Sequence, residues 1–280
     1  MAILFYVPFM TTIQTRYQSM NKVIVYFITY VILEFLIVFF QNYSACSDWR
    51  LYLIYLLSFT SFVNLYEVGY IYNETETIKK EIDPTKRLSD EQLAFYEKNK
   101  FVIYAERFFV TVVLNAVLAV FVSRKSLLLF SLEEVITLAV FSLYNSVRDG
   151  RITQVIYFLL SSLKYAALVF CFSEKINLSV ILACIFCFPI VRTMEYKAHY
   201  VSESNVNLFF RKYIIKYDVN RIPIFRVCAT FILLVVSVLL YVFRICNWIP
   251  PILCAYMFLY RFGLWLVVKL GANFKGYLKR

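Results

Sequence analysis

The richest group of potential ligands in this sequence is the stretch NETETIKKEIDPTKR, residues 73–87, which follows a long apolar run. A helix that continues through it puts Asn73 and Glu81, eight residues apart, on one face, and Glu74 and Glu81, seven apart, share a face as well. Mg²⁺ prefers carboxylate oxygens combined with phosphate oxygens and water. We therefore predict that Asn73, Glu74 and Glu81 hold Mg²⁺ beside a phosphate group.

Two basic residues end the same stretch. Pro84 breaks the helix, and Lys86 and Arg87 follow it. Both side chains suit phosphate, lysine as a point charge and arginine through a planar fork. Lys86 and Arg87 are predicted to grip the phosphates that the metal bridges. The competing interpretation is a solvated helix beside the membrane, whose glutamate and lysine side chains pair with one another.

A second polar stripe lies in VRTMEYKAHYVSE, residues 191–203. Arg192, Glu195, His199 and Glu203 are spaced by three, four and four residues, so they share one face of a helix. We predict that Arg192 and His199 contact substrate phosphate and that Glu195 is catalytic. The alternative for His199, the single histidine of the chain, is an ordinary surface or interface residue.

A short turn between two apolar runs carries the third group. Tyr144 and Arg148 flank this turn, and Lys164 lies within the apolar run that follows. A lysine at membrane depth is costly unless it meets an acid, a substrate anion or water. All three are predicted to bind substrate, and the alternative for Lys164 is a structural ion pair or a side chain that reaches the interface.

The elements that position these residues follow from the composition. The chain is 61% hydrophobic and 19% aromatic, with a mean hydropathy of +0.69, which is typical of an integral membrane protein. We interpret residues 1–280 as a single transmembrane domain, an all-α polytopic bundle of about eight spans. Runs of about 20 apolar residues mark the spans. Their approximate bounds are 22–41, 51–72, 103–123, 126–145, 153–173, 176–191, 222–243 and 248–269.

The basic residues predict the orientation of the bundle. With the N-terminus inside, inner segments hold 20 of the 29 lysines and arginines and outer turns hold five. Because cytoplasmic loops collect lysine and arginine, both termini and the long loops 73–100 and 192–221 are predicted to be cytoplasmic. We expect the protein to lie in a bacterial inner membrane. The net charge of +11 reflects these loops, and no nucleic-acid partner is predicted.

Three stretches in this order give the chain a resemblance to a known family. NETETIKKEIDPTKR, YNSVR and VRTME resemble the polar motifs of the UbiA superfamily of membrane transferases, and within it the polyprenyl-phosphate phosphoribosyltransferases are nearest in pattern. The three aspartates of the family's first motif fall here on Glu74, Thr77 and Glu81. The resemblance implies a UbiA-like bundle, Mg²⁺ on a diphosphate, and catalytic roles for Asn73, Glu74, Glu81 and Glu195.

The resemblance also implies a function. It favours a transferase that acts on a polyprenyl lipid with a Mg²⁺-bound diphosphate donor at the cytoplasmic face, by phosphoribosyl transfer to polyprenyl phosphate. One alternative is a prenyltransferase that moves a polyprenyl group to a small acceptor. Another is a non-catalytic transporter, flippase or assembly subunit. In each case membrane lipids surround the bundle.

The basic asymmetry generates a prediction about topology. A reporter fused after Arg244 is expected to lie outside the cytoplasm, and one fused after Lys98 inside, because the outer turns are poor in basic residues. Paired alkaline phosphatase and green fluorescent protein fusions at both positions measure this. A cytoplasmic signal at Arg244 contradicts the orientation.

Overall fold

Every regular element that the structure, a computed structural model, describes is a helix. The described residues are 3–80, 85–147, 150–173, 177–199 and 221–270. Within them, eight helices are long and apolar enough to cross a membrane, so the prediction of an all-α polytopic membrane protein with eight spans is confirmed. They are Met20–Gln41, Trp49–Lys80, Asp90–Leu118, Arg124–Ser146, Ile152–Phe172, Leu178–Glu195, Ile222–Val242 and Ile249–Lys269.

The chain divides into two compact units, and each is described by itself. The first comprises Met1–Tyr26, Asn42–Val147 and Ala167–Glu174. Its α-helices are α1 (Ile3–Tyr6), α2 (Met10–Arg16), α3 (Met20–Tyr26), α5 (Trp49–Tyr72), α6 (Asp90–Leu118), α7 (Arg124–Ser146) and α9 (Val169–Phe172).

The second unit comprises Phe27–Gln41, Arg148–Ala166 and Lys175–Arg280. Its helices are a π-helix (Phe27–Ile32), α4 (Leu33–Gln41), α8 (Gly150–Ala166), α10 (Leu178–Cys187), α11 (Pro189–His199), α12 (Ile222–Val242) and α13 (Ile249–Lys269). Two tyrosines satisfy carbonyl groups of the π-helix. The hydroxyl of Tyr165 donates to the Thr29 carbonyl at 2.7 Å, and that of Tyr256 donates to the Ile28 carbonyl at 2.8 Å.

Polar side chains fix where the long helices of the first unit begin. Asp48 precedes α5 and accepts from the Arg50 backbone N–H at 2.9 Å. Ser89 and Gln92 form a reciprocal capping box before α6. Such caps satisfy backbone donors that have no partner within the helix. The Ser89 cap explains why α6 begins well before the apolar run predicted at 103–123.

The N-terminal segment, residues 3–16, packs into the first unit. Leu4 and Phe5 are buried in a cluster with Ile71 and Tyr96. The first ten residues are too short to span a membrane, and the sequence predicts an interfacial location for them. In the structure, the short helix α1 places Leu4 and Phe5 against α5 and α6. The interfacial location stays a prediction.

A buried ion pair holds this segment in place. Arg107 of α6 lies 3.2 Å from Glu67 of α5, and both side chains are fully buried. Arg107 also donates to the carbonyls of Phe5 at 2.8 Å and Val7 at 3.3 Å, and Glu67 accepts from the Phe9 backbone N–H at 2.9 Å. Removing one partner of such a pair leaves an uncompensated charge and typically costs about 3–5 kcal/mol.

Close packing of α5 on α7 generates a prediction. Gly69 faces the ring of Phe141, which Tyr66 and Tyr70 contact at centroid distances of 4.9 and 5.3 Å. A Cβ at Gly69 overlaps that ring, and the two tyrosines restrict its movement. Gly69→Ala is therefore expected to lower the free energy of unfolding by about 1–3 kcal/mol despite the better helix propensity of alanine.

Gly263 provides the matched control. It also lies in a membrane-spanning helix, and a Cβ there meets no atom of the described structure within 4 Å. Gly263→Ala is expected to be neutral or to stabilise by up to about 1 kcal/mol. Thermal unfolding of both variants in the same detergent measures the difference. Equal unfolding temperatures would contradict close contact between α5 and α7 at Gly69.

Candidate functional site

The first motif continues α5 but changes its pitch. Asn73–Thr77 form a π-helical turn and Ile78–Lys80 a 3₁₀ turn. The predicted face assumed one α-helical period through the whole stretch, and the structure corrects this. A π turn pairs residues five apart and a 3₁₀ turn pairs residues three apart, so residues spaced by four do not stay aligned.

Glu74 is the centre of the first cluster. Its side chain is fully buried, and three donors meet its carboxylate. Arg16 lies 2.5 Å from Oε1, and Arg87 donates from Nη1 to Oε1 at 2.8 Å and Oε2 at 3.1 Å. The Asn73 amide donates to Oε1 at 3.3 Å. The structure therefore brings together Asn73, Glu74 and Arg87, three of the residues that the sequence singled out.

Arg16 is the member of this cluster that the sequence analysis missed. It ends α2, and its guanidinium also lies 4.9 Å from the centroid of the Tyr70 ring. No spacing rule connects Arg16 with Glu74, because 58 residues separate them and the contact depends on how the N-terminal segment folds back. The one available signal was a basic residue close to the predicted inner end of the first span.

Lys86 has a different neighbour. Its ammonium lies 3.7 Å from Asp90, and both side chains are more than half exposed. Such exposed pairs contribute little to stability. Lys86 is therefore available to a ligand at the surface, while Arg87, its neighbour in sequence, is partly buried on Glu74.

Glu76 belongs to a separate network on α6. Its carboxylate accepts from the Tyr96 hydroxyl at 2.8 Å, from Lys100 at 2.9 Å and from Lys79 at 3.0 Å. These contacts tie the π-helical turn to α6. They match the interpretation of paired glutamates and lysines for this part of the stretch, and they occupy Glu76 with cations of the chain itself.

An open groove of about 720 Å³ lies beside the first cluster. Arg87 is its charged lining residue, and Gln14, Ser89 and Gln92 add polar groups. Ile13, Met20 and Val23 supply an apolar part. The groove thus offers one guanidinium, several hydrogen-bonding groups and an apolar surface within the same unit.

The described residues of the first motif do not fit a magnesium site. Both oxygens of Glu74 face the guanidinium group of Arg87, and Oε1 also faces Arg16. A divalent cation at Glu74 would have to displace both positive groups. Across the described ranges, no group of three histidine, cysteine, aspartate or glutamate side chains is placed to hold a metal. Glu81, the other predicted acidic ligand, lies outside the described residues.

The second motif forms a cluster in the second unit. Arg192 and Glu195 share a face of α11, as predicted, and Arg192 Nη1 lies 2.8 Å from Glu195 Oε2. Arg226 of α12 binds the same carboxylate through Nε at 2.5 Å and Nη2 at 2.8 Å. Arg192 Nε also donates to the Tyr157 hydroxyl at 3.3 Å. Glu195 is thus held by two arginines, and one of them, Arg226, was not among the predicted site residues.

The remaining predicted site residues have varied outcomes. Tyr144 lies in the last turn of α7, where its ring contacts that of Phe141. Lys164 lies in α8 with its ammonium 3.8 Å from the centroid of the Tyr30 ring, a cation–π contact within the second unit. Arg148 lies outside the described residues, and His199 is described only as the last residue of α11.

Two acids within the Arg124–Ser146 span have hydrogen-bond donors from neighbouring side chains. Glu134 accepts from Ser61 and from the Asn115 amide, each at 2.7 Å. Glu133 accepts from Thr137 at 2.6 Å. Their donors are neutral groups, unlike those of Glu74 and Glu195.

Comparison with known proteins places the chain in no family. The chain matches no family model, and searches of curated proteins and of solved structures find no match either. The resemblance to the UbiA superfamily therefore depends on the three motif stretches of the sequence itself, and it stays a prediction.

Proposed function

We propose that the protein is a membrane-embedded transferase that joins a phosphorylated sugar to a polyprenyl lipid. The donor is phosphoribosyl diphosphate and the acceptor is polyprenyl phosphate, as the resemblance to UbiA-type enzymes implies. The chain would act at the cytoplasmic face of a bacterial inner membrane, with both termini in the cytoplasm. The eight membrane-spanning helices agree with a substrate that stays in the lipid phase.

The observation that carries this proposal is the position of Arg87. It reaches from the buried carboxylate of Glu74 to the lining of the 720 Å³ groove. A planar guanidinium fixed on one side by a carboxylate can present its other N–H groups to phosphate oxygens. The groove adds Gln14, Ser89 and Gln92 as hydrogen-bonding groups for a sugar or phosphate.

In this proposal, these residues stabilise negative charge on the leaving group and position the substrates. In the transfer, an oxygen of the lipid phosphate bonds to the anomeric carbon of the ribose. The bond from that carbon to diphosphate breaks, and its electron pair leaves with the diphosphate. Arg87, with Arg16 behind it on Glu74, would stabilise the charge that develops on the leaving group. Transfer of a prenyl group from a polyprenyl diphosphate would use the same residues for the same leaving group.

Magnesium stays a prediction from the resemblance. When bound, Mg²⁺ neutralises diphosphate and supports its departure. In this proposal Arg16 and Arg87 supply that neutralisation, because Glu74 is already engaged with both. The transfer assay therefore tests whether activity depends on the metal, and in particular whether it depends on Glu81.

A second candidate function is binding or movement of a phosphorylated lipid without transfer. The observation that favours it is that the acids of both motifs, Glu74 and Glu195, are each held by two arginines. A carboxylate so engaged suits a structural support for arginines better than a metal ligand. A transporter, flippase or assembly subunit would use the same phosphate contacts and form no new bond.

The test is a transfer assay on the purified protein in nanodiscs. Labelled phosphoribosyl diphosphate with polyprenyl phosphate, and labelled polyprenyl diphosphate with small acceptors, are incubated with and without Mg²⁺ and chelator. Arg87→Gln is expected to reduce donor affinity about tenfold or more, because hydrogen bonds to charged groups contribute about 1.5–3 kcal/mol. Lys98→Gln, at an exposed position of α6, is the control and should be unchanged.

The outcomes separate the candidates. Labelled lipid product that is lost in Arg87→Gln and kept in Lys98→Gln supports the phosphoribosyltransferase, and product from the other donor supports prenyl transfer. Activity that vanishes with chelator and in Glu81→Gln returns Mg²⁺ to the mechanism. Binding of polyprenyl phosphate without product from either donor favours the non-catalytic function.

A further inference from the structure

The second unit contains more buried positive charge than its acid cluster uses. Arg192 and Arg226 both bind Glu195. Arg261 of α13 is only 7% exposed and lies close enough to Glu195 to interact with it electrostatically. Two guanidinium groups thus contact this carboxylate and a third, that of Arg261, acts on it electrostatically. Arg261 was not among the predicted site residues.

Arg261 has a donor with no acceptor. Its Nε is buried and makes no hydrogen bond to any residue that the structure describes. A buried donor left without an acceptor is costly, particularly on a charged group at membrane depth. With a rise of 1.5 Å per residue, Arg261 lies about 12 Å along α13 from Lys269, within the span. A ligand that supplies an acceptor there removes this cost.

A small cavity lies beside two of the three arginines of this cluster. Arg226 and Arg261 line it together with Pro223, Leu264, Trp265 and Val268. Its volume is about 10 Å³, which suits a single oxygen-sized group rather than an entire head group. Pro223 belongs to the first turn of α12, whose N-terminus favours negative charge. The arginines and the helix end thus act on the same small volume.

We propose that Arg226 and Arg261 form a site for the phosphate of a membrane lipid, with one non-bridging phosphate oxygen in this cavity. Arg261 Nε donates to that oxygen, and Arg226 contributes charge while it remains on Glu195. Leu264, Trp265 and Val268 give the lipid chain an apolar surface that continues along α13. The ligand is a phosphate on an isoprenoid alcohol.

This site deepens the proposed function, and it rests on that function for the class of lipid. Arg226 and Arg261 belong to none of the three motif stretches. They add a lipid subsite to the cluster of the second motif, which contains Arg192 and Glu195. Binding needs no donor and forms no product. Loss of transfer and loss of this site are therefore measured separately.

The experiment measures lipid binding to the intact protein in dodecyl maltoside micelles without added phospholipid. Polyprenyl phosphate, polyprenol of the same length and inorganic phosphate are titrated separately, with the thermal shift and native mass spectrometry as readouts. The protein is expected to bind polyprenyl phosphate at least tenfold more tightly than polyprenol. Arg261→Gln should remove that difference, and Arg261→Lys should restore part of it because it returns the charge without the planar fork.

Arg244→Gln is the matched control. Arg244 is exposed and lies in the turn after α12, at the other end of the same helix pair, and its substitution should leave lipid affinity unchanged. If Arg261→Gln does not fold, the lipid affinity of Arg226→Lys and the comparison of lipids on the unmodified protein still test the proposal. Equal binding of polyprenol and polyprenyl phosphate, or an affinity unaffected by Arg261→Gln, overturns the proposal. Inorganic phosphate that binds with the same dependence on Arg261 overturns the lipid assignment in favour of a soluble phosphate.

Discussion

The buried pair of Glu67 and Arg107 supports the arrangement of the whole first unit. Its two side chains bind backbone groups of residues 5–12 and thereby hold the N-terminal segment against α5 and α6. Phe9 adopts a left-handed conformation with φ of 74°, which an L-residue reaches only at some cost. The bond from its N–H to a charged carboxylate offsets this cost. Placed in this way, the segment delivers Arg16 to Glu74 and supplies one side of the groove.

Ion pairs between glutamate and arginine also form the clusters of both motifs, but the number of arginines per carboxylate differs. Glu67 and Arg107 form a closed network with backbone partners, whereas Glu74 and Glu195 each gather more guanidinium groups than one carboxylate neutralises. An excess of positive charge at low dielectric is unfavourable by itself and attracts anions. This surplus of positive charge is the basis of the proposed phosphate sites, whereas the acidic residues of the sequence suggested a metal.

The sequence predicted the spans well because a membrane imposes length and apolarity on each helix independently of its neighbours. It also predicted that Arg192 and Glu195 share one face of a helix, since residues three apart in an α-helix are neighbours. It could not predict Arg16 on Glu74 or Arg226 on Glu195, because both contacts join distant segments. The regular face expected from Asn73 onward was wrong for a local reason: the helix widens into a π turn and then tightens.

The folded-back N-terminal segment has a consequence for biosynthesis. Phe5 leaves the ribosome about a hundred residues before Arg107, whose guanidinium binds its carbonyl. Residues 3–16 therefore cannot adopt their final position until α5 and α6 have both been inserted by the translocation machinery. During that interval Leu4 and Phe5 lack the core that Ile71 and Tyr96 later provide. Residues 3–16 are thus among the last parts of this unit to reach their final position, although they precede α5 and α6 in the chain.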